Sequence, residues 1–152
     1  MSANPPIPPI GNMMCFSVYA AGLAFNRLYR GLLEQFGLTY PQFLVLVALS
    51  GRDSQKVNEL GEALFLESNT LTPLLKRLEA MGHITRRRDA KDERVVRIHL
   101  TGKGQVLIGE IGCVPPQVLE ASSLPLAEAQ ALTAKINTLA QALRAHSQTK
   151  TT

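Results

Sequence analysis

Tryptophan is absent from the 152 residues, aromatic residues of every kind amount to 5%, and there are only two cysteines, Cys15 and Cys113. Two thiols cannot build the disulfide framework of a small secreted fold, and neither sits in a CxxC or Cys/His spacing that would hold zinc. No run reaches the roughly 18 uninterrupted apolar residues of a membrane span. The opening MSANPPIPPIGN lacks the basic and apolar regions of a secretory signal. The expectation is a cytoplasmic protein with no membrane partner, no metal and no cofactor. Thiols are kept reduced there, so a single well-placed cysteine suits reactive or redox-sensing work better than structural stapling. Histidine is scarce as well. His83 and His99 flank or lie in a β segment and His146 lies near the end of the chain, so no imidazole is placed to act as base for Cys15. That speaks against a thiol-dependent peroxidase, and no enzyme is expected.

What is present is concentrated charge. The formal net of +4 says little alone, but residues 76–103 hold nine Lys and Arg against four Asp and Glu, which leaves the remainder slightly acidic. A positive block inside a folded region is the footprint of a module that neutralises phosphates. The length suits one folding unit with a real core.

Along the chain, residues 1–11 carry Pro5, Pro6, Pro8 and Pro9 and read as an extended arm, with a single domain over 12–152. A long helix is expected over 13–36, with Asn12 as N-cap and Gly37 as stop. Thr39 and Gln42 form a capping-box pair with Pro41 in the first turn, and the apolar run 43–49 marks the helix that follows as buried. Residues 51–54 are a turn, from which Ser54 can cap a short helix over 56–64 bearing Val57, Leu60 and Leu64 on one face. After a break at 65–67, Leu71, Leu74, Leu75, Leu78 and Met81 fall in one helical arc, while Asn69, Pro73, Lys76 and Ala80 point the other way. Two short helices so joined make a helix-turn-helix. The start of the second stays open. Ser68 as cap puts Pro73 at the fifth helical position, where a backbone bond is lost, and Thr70 or Thr72 as cap avoids this.

Beyond Gly82 the period becomes alternating. Segments 84–88 and 95–100 flank the charged turn 89–94, a β-hairpin that is a wing by its position. Thr101 caps a helix over 102–112, ended by Pro115 and Pro116, and a last helix covers 126–145 with Leu132, Ile136, Leu139 and Leu143 in a stripe. The fold class is mainly α with a small β-hairpin wing: a winged helix-turn-helix at about 39–101, bracketed by dimerisation helices at about 12–37 and 102–145.

This order of elements makes double-stranded DNA the expected partner. Ser68, Asn69, Thr70, Thr72, Lys76 and Arg77 face the major groove, with Asn69 suited to adenine and the hydroxyls and Lys76 to phosphates. Arg86, Arg88, Lys91 and Arg94 of the wing reach backbone or a narrow minor groove, and Asp92 is expected to hold the Arg94 guanidinium. Cys15 is expected third in its helix, where unpaired N–H groups and the positive end of the dipole favour a thiolate. Tyr19 is one turn away. Tyr29 lies about 21 Å further along the same helix, so any contact with the sulfur must come from a partner subunit.

From 38 to 103, GLTYPQFLVLVAL and ELGEALFLESNTLTPLLKRLEAMGHITRRRDAKDERVVRIHLTGKG resemble the MarR family of winged-helix regulators, with DERVVRIHLT matching the wing signature. The similarity extends through the first helix, and it implies a homodimer on a near-palindromic operator. GNMMCFSVYAA with GLTYPQ resembles the organic-hydroperoxide-sensing OhrR branch. That resemblance implies a repressor in which Cys15 is the sensor, Tyr29 and Tyr40 hydrogen-bond its thiolate, and oxidation by an organic hydroperoxide releases DNA. Two ways of resolving the oxidised sulfur stay open. One uses Cys113, although relatives place the second cysteine near a segment matching 118–121, where this chain has Glu120; the other uses a small cellular thiol. A MarR-type regulator gated by a small aromatic ligand is the rival reading.

Overall fold

In the computed structural model, which describes residues 5–149, the proline-rich stretch 5–9 has no regular structure and passes into a 3-10 turn, Ile10–Asn12. Residues 1–4 of the expected arm lie outside the described residues. Helix α1 (Met14–Leu33) is capped by Met13 in an extended conformation, not by Asn12. Asn12 is taken up by the turn before it, its N–H donating to the Pro9 carbonyl at 2.8 Å. Cys15 is therefore second in the helix rather than third. The α-helix stops short of the expected Phe36: residues Glu34–Phe36 tighten into a 3-10 turn that Gly37 closes at φ 64°, a left-handed conformation that glycine adopts without a Cβ penalty.

Helix α2 (Tyr40–Gly51) starts as expected. The Thr39 hydroxyl accepts from the Gln42 N–H at 3.4 Å, and Gln42 Oε1 accepts from the Thr39 N–H at 2.9 Å. Ser54 does not cap the next helix. It sits at φ 58° and leads into a two-residue strand, β1 (Gln55–Lys56), too short to have left an alternating pattern in the sequence. Helix α3 (Val57–Leu64) begins at Lys56, whose N–H donates to Glu59 Oε2 at 2.8 Å. Phe65, at φ 54°, breaks the chain before α4 (Ser68–Ala80).

Strands β2 (Ile84–Arg88) and β3 (Val96–Leu100) pair antiparallel from Ile84↔Leu100 to Arg88↔Val96, and β1 adds to the far edge of β3 through Gln55↔Ile98, giving the order β1-β3-β2. Val95, expected in the strand, closes the wing turn instead by accepting the Asp89 N–H at 2.8 Å. Thr101 caps α5 (Gly102–Ile111) by accepting from the Gly104 N–H at 3.0 Å.

The contacts gather the chain into two compact units that divide between Gly112 and Cys113. The core of the first is built from Phe43, Val45, Leu46 and Leu49 of α2, Leu60 of α3, Leu71, Leu75 and Leu78 of α4, Ile84 and Ile98 of the sheet, and Leu107 and Ile111 of α5. The second contains α6 (Val114–Ser122), unforeseen from sequence, and α7 (Leu126–Thr149), which runs beyond the expected 145. Pro115 and Pro116 do not end structure here. They open α6, in the turn where a missing N–H costs nothing. Among the described residues no single helix is long and apolar enough to cross a membrane.

Candidate nucleic-acid interface and thiol site

Burial of Leu71, Leu75 and Leu78 fixes the rotation of α4 and turns Ser68, Asn69, Thr70, Thr72, Lys76 and Arg77 to the exposed side. None of the three residues left open as caps performs that task. Glu67 is the N-cap, and its carbonyl takes the N–H groups of Thr70 and Leu71 at 3.0 and 2.9 Å. Ser68, Thr70 and Thr72 all lie inside the helix, and so does Pro73, which offers the Asn69 carbonyl no N–H.

The wing is more internally braced than its sequence suggests. Arg86, expected at DNA, donates from its backbone to Glu79 Oε1 at 3.0 Å and from Nε to Glu79 Oε2 at 2.8 Å, so it is a strut from β2 to the end of α4. These bonds hold the Glu79 carboxyl below its ordinary pKa. Arg88 Nη1 donates to the Glu93 carbonyl at 3.2 Å. Asp92 accepts the backbone N–H of Arg94 at 3.0 Å, not its guanidinium, and so shapes the turn instead of aiming the charge. The aspartate that does grip a guanidinium is Asp89, paired with Arg97 Nε, while Arg97 Nη1 reaches the Ser54 carbonyl at 2.9 Å. Arg97 above all, with the Lys91 N–H, lowers the Asp89 pKa to about 2. Sequence reasoning missed this pair. The hairpin register, with Arg97 opposite Arg87 and Asp89 just beyond Arg88, was the signal that could have found it. Lys76, Arg77, Arg87, Lys91 and Arg94 are in no ion pair among the described residues.

Cys15 is exposed on the first turn of α1. Tyr19, placed one turn on and 60% exposed, packs its ring toward Phe16 with centroids 6.3 Å apart. Tyr29 and Tyr40 come together without the sulfur: their centroids are 4.1 Å apart, and Tyr29 also lies 5.5 Å from Phe43. Burial raises both phenol pKa values from the ordinary tyrosine value, and at Tyr29 the neighbouring Tyr40 adds to the effect. Beside them a cavity of about 480 Å³ is lined by Leu23, Asn26, Arg27, Arg30 and Tyr40. Cys113 is exposed at the entry to α6, and its carbonyl accepts from Gln117 Nε2 at 3.1 Å.

A helix-turn-helix followed by a braced basic hairpin is the arrangement of a winged-helix regulator, and the profile of the transcriptional regulators SarA/Rot matches residues 27–111. The chain belongs to the SarA/Rot family of transcriptional regulators. This SarA/Rot regulator is 51% identical over 123 residues to the HTH-type transcriptional regulator TtmR of Methylorubrum extorquens, covering 81% of this chain but 63% of that protein's length. It is 38% identical to the organic hydroperoxide resistance transcriptional regulator of Bacillus subtilis, with 87% of this chain and 90% of that one covered. Among solved structures it is similar to reduced AbfR bound to DNA, with a TM-score of 0.73, 39% identity and coverage of 89% of this chain and 92% of that one. AbfR of Staphylococcus epidermidis has also been solved in overoxidised and disulfide-formed states. The fold is that of the MarR-type winged-helix regulators, mostly helical with a small three-stranded antiparallel sheet. Its relatives are named as regulators, not enzymes, and the chain is a DNA-binding transcriptional regulator.

Proposed function

We propose that this regulator is a homodimeric repressor that leaves a near-palindromic operator when Cys15 is oxidised by an organic hydroperoxide. The observation that carries the reading is Cys15 itself, exposed in the first turn of α1, the end at which a helix's N–H groups lack partners within it. The name of the Bacillus subtilis relative and the several redox states of AbfR support it. In the step envisaged, the Cys15 thiolate attacks one peroxide oxygen and the O–O bond breaks. Sulfur is oxidised to a sulfenic acid and the peroxide is reduced to an alcohol, its alkoxide taking a proton from solvent or a phenol. Tyr29 and Tyr40 of the partner subunit are the proposed donors to the thiolate, since within one chain Tyr29 is about 21 Å along the helix from Cys15. A second thiol, from Cys113 or a small cellular thiol, then condenses with the sulfenic acid and releases water.

On the DNA side, α4 lies in the major groove with Asn69 at an adenine and Ser68, Thr70, Thr72, Lys76 and Arg77 at the groove edge and backbone, while Arg88, Lys91 and Arg94 follow the backbone or the minor groove. A chain read as cytoplasmic fits a partner of this kind.

The test is a binding titration on a duplex that the protein itself selects from a random-sequence pool, with and without cumene hydroperoxide. Wild type should lose affinity by at least tenfold, a change of about 1.4 kcal/mol, and Cys15→Ser should lose none. Non-reducing gels of wild type and Cys113→Ser then separate the two modes of resolution. A second reading, gating by a small aromatic molecule, is favoured by the cavity of about 480 Å³ beside Tyr40. Release of the Cys15→Ser protein by the hydroperoxide would sink the thiol mechanism in its favour.

A further inference from the structure

Between the start of α3, the first turns of α4 and the wing lies an open cleft of about 540 Å³. Its polar lining is Lys56, Asn58, Ser68, Thr72, Arg86 and Arg94, the rest of its wall is aliphatic, and no carboxylate lines it. The charge of Arg86 is already matched by Glu79, whereas Lys56 and Arg94 are in no ion pair among the described residues. Two cations outside any ion pair, of which Lys56 also feels the charge of Glu59, two hydroxyls and a carboxamide around a lining without acids suit an oxyanion whose flanks are apolar.

Both cations stand on fixed backbone. Lys56 is held in the sheet opposite Arg97, and its N–H is taken by Glu59 at 2.8 Å. The Arg94 N–H is taken by the Asp92 carboxylate at 3.0 Å, and the next N–H, of Val95, by the Asp92 carbonyl at 2.9 Å. Braced bases of this kind reduce the ordering that a bound group must impose. The aliphatic wall is formed by Val57, Leu75, Val95 and Val96.

We infer that this cleft seats one backbone phosphodiester of the bound duplex, gripped jointly by Lys56 and Arg94, with Asn58, Ser68 and Thr72 completing its hydrogen bonds. The inference rests on DNA binding and adds to it Lys56 and Asn58, two contacts that come from neither the recognition helix nor the wing.

The experiment measures affinity for the selected duplex by fluorescence anisotropy across a series of KCl concentrations. Because the slope of log K against log salt counts neutralised phosphates, the double variant Lys56→Gln/Arg94→Gln should lower its magnitude by about 0.9 per subunit. An unchanged slope overturns the seat, and so does a fall of about 1.8 per subunit, which means that the two side chains hold separate phosphates. Should the double variant not fold, the single variants are read against a scan of neutral methylphosphonate substitutions in the duplex. One and the same position must lose its effect in both; different positions overturn the proposal. If the wild-type protein selects no duplex at all, DNA binding itself has failed, which is distinct from a protein that binds with an indifferent cleft.

Discussion

Among the described glycines, Gly104 is the one where an added Cβ would come closest to its neighbours. A Cβ there would stand 2.1 Å from the His83 carbonyl oxygen, which is backbone and itself accepts the Thr101 N–H at 3.1 Å. The Gly104→Ala protein should be destabilised by roughly 1–3 kcal/mol, read from the shift of the urea midpoint at unchanged slope. Gly109 of the same helix meets nothing within 4 Å, so Gly109→Ala is the control and should be neutral or stabilising by up to about 1 kcal/mol. At this scale the sequence was legible where partners are close along the chain. The Thr39–Gln42 box and the Thr101 cap formed as expected because each closes within three residues. The bonds of Arg86 to Glu79 went unforeseen and Asp92 was misread, because these partners depend on how β2 meets α4 and how the wing turn folds, neither of which local spacing reveals.

Among the elements, α4 carries an internal defect. Pro73 is the sixth residue of a helix that starts at Ser68, so the Asn69 carbonyl lacks its ordinary helical donor. Pro73 is exposed, and Pro73→Ala removes the defect without disturbing the core. The variant should gain roughly 1–3 kcal/mol in unfolding free energy, reduced from the full helix propensity difference by the greater freedom of its unfolded chain. No gain in the denaturation midpoint would mean that the helix has already adapted to the proline. Legibility at this scale followed length and period. The leucine arc of α4 and the alternation of β2 and β3 stood out, whereas β1 at two residues has no period and Pro115–Pro116 read equally well as an end or a beginning. The competition among Ser68, Thr70 and Thr72 was resolved by none of them, since the break at Phe65 moves the helix start back to Glu67.

At the scale of the whole molecule, large apolar residues on α1 and α7 are exposed among the described residues. Of the twenty residues of α1 only Leu33 is buried, and Met14, Val18, Leu23 and Phe25 are 44–62% exposed; in the second unit Leu132, Ile136 and Leu143 of α7 are 42–58% exposed. Helix faces of this composition are the expected material of a subunit interface. Sedimentation velocity should find a species of twice 16.6 kDa for the wild type and a shift toward the single-chain mass for Ile136→Lys. A dimer undisturbed by that charge would remove α7 from the interface. The candidate DNA surface was legible from charge concentration along the chain. Of the thiol site, the place of Cys15 in the first turn of α1 and its distance from Tyr29 along the same helix were legible, whereas the packing of Tyr29 on Tyr40 depends on how α1 meets α2 and was not.

Glu79 receives two bonds from Arg86, one from its main chain and one from its side chain, and it lies at the end of the recognition helix. Helix and hairpin are thereby coupled at their root, like two prongs cast with a fixed gap. With α4 and the wing in adjoining grooves as proposed, a duplex whose groove spacing does not match that gap has to be bent before both prongs engage, so such a regulator would measure groove spacing as well as base sequence.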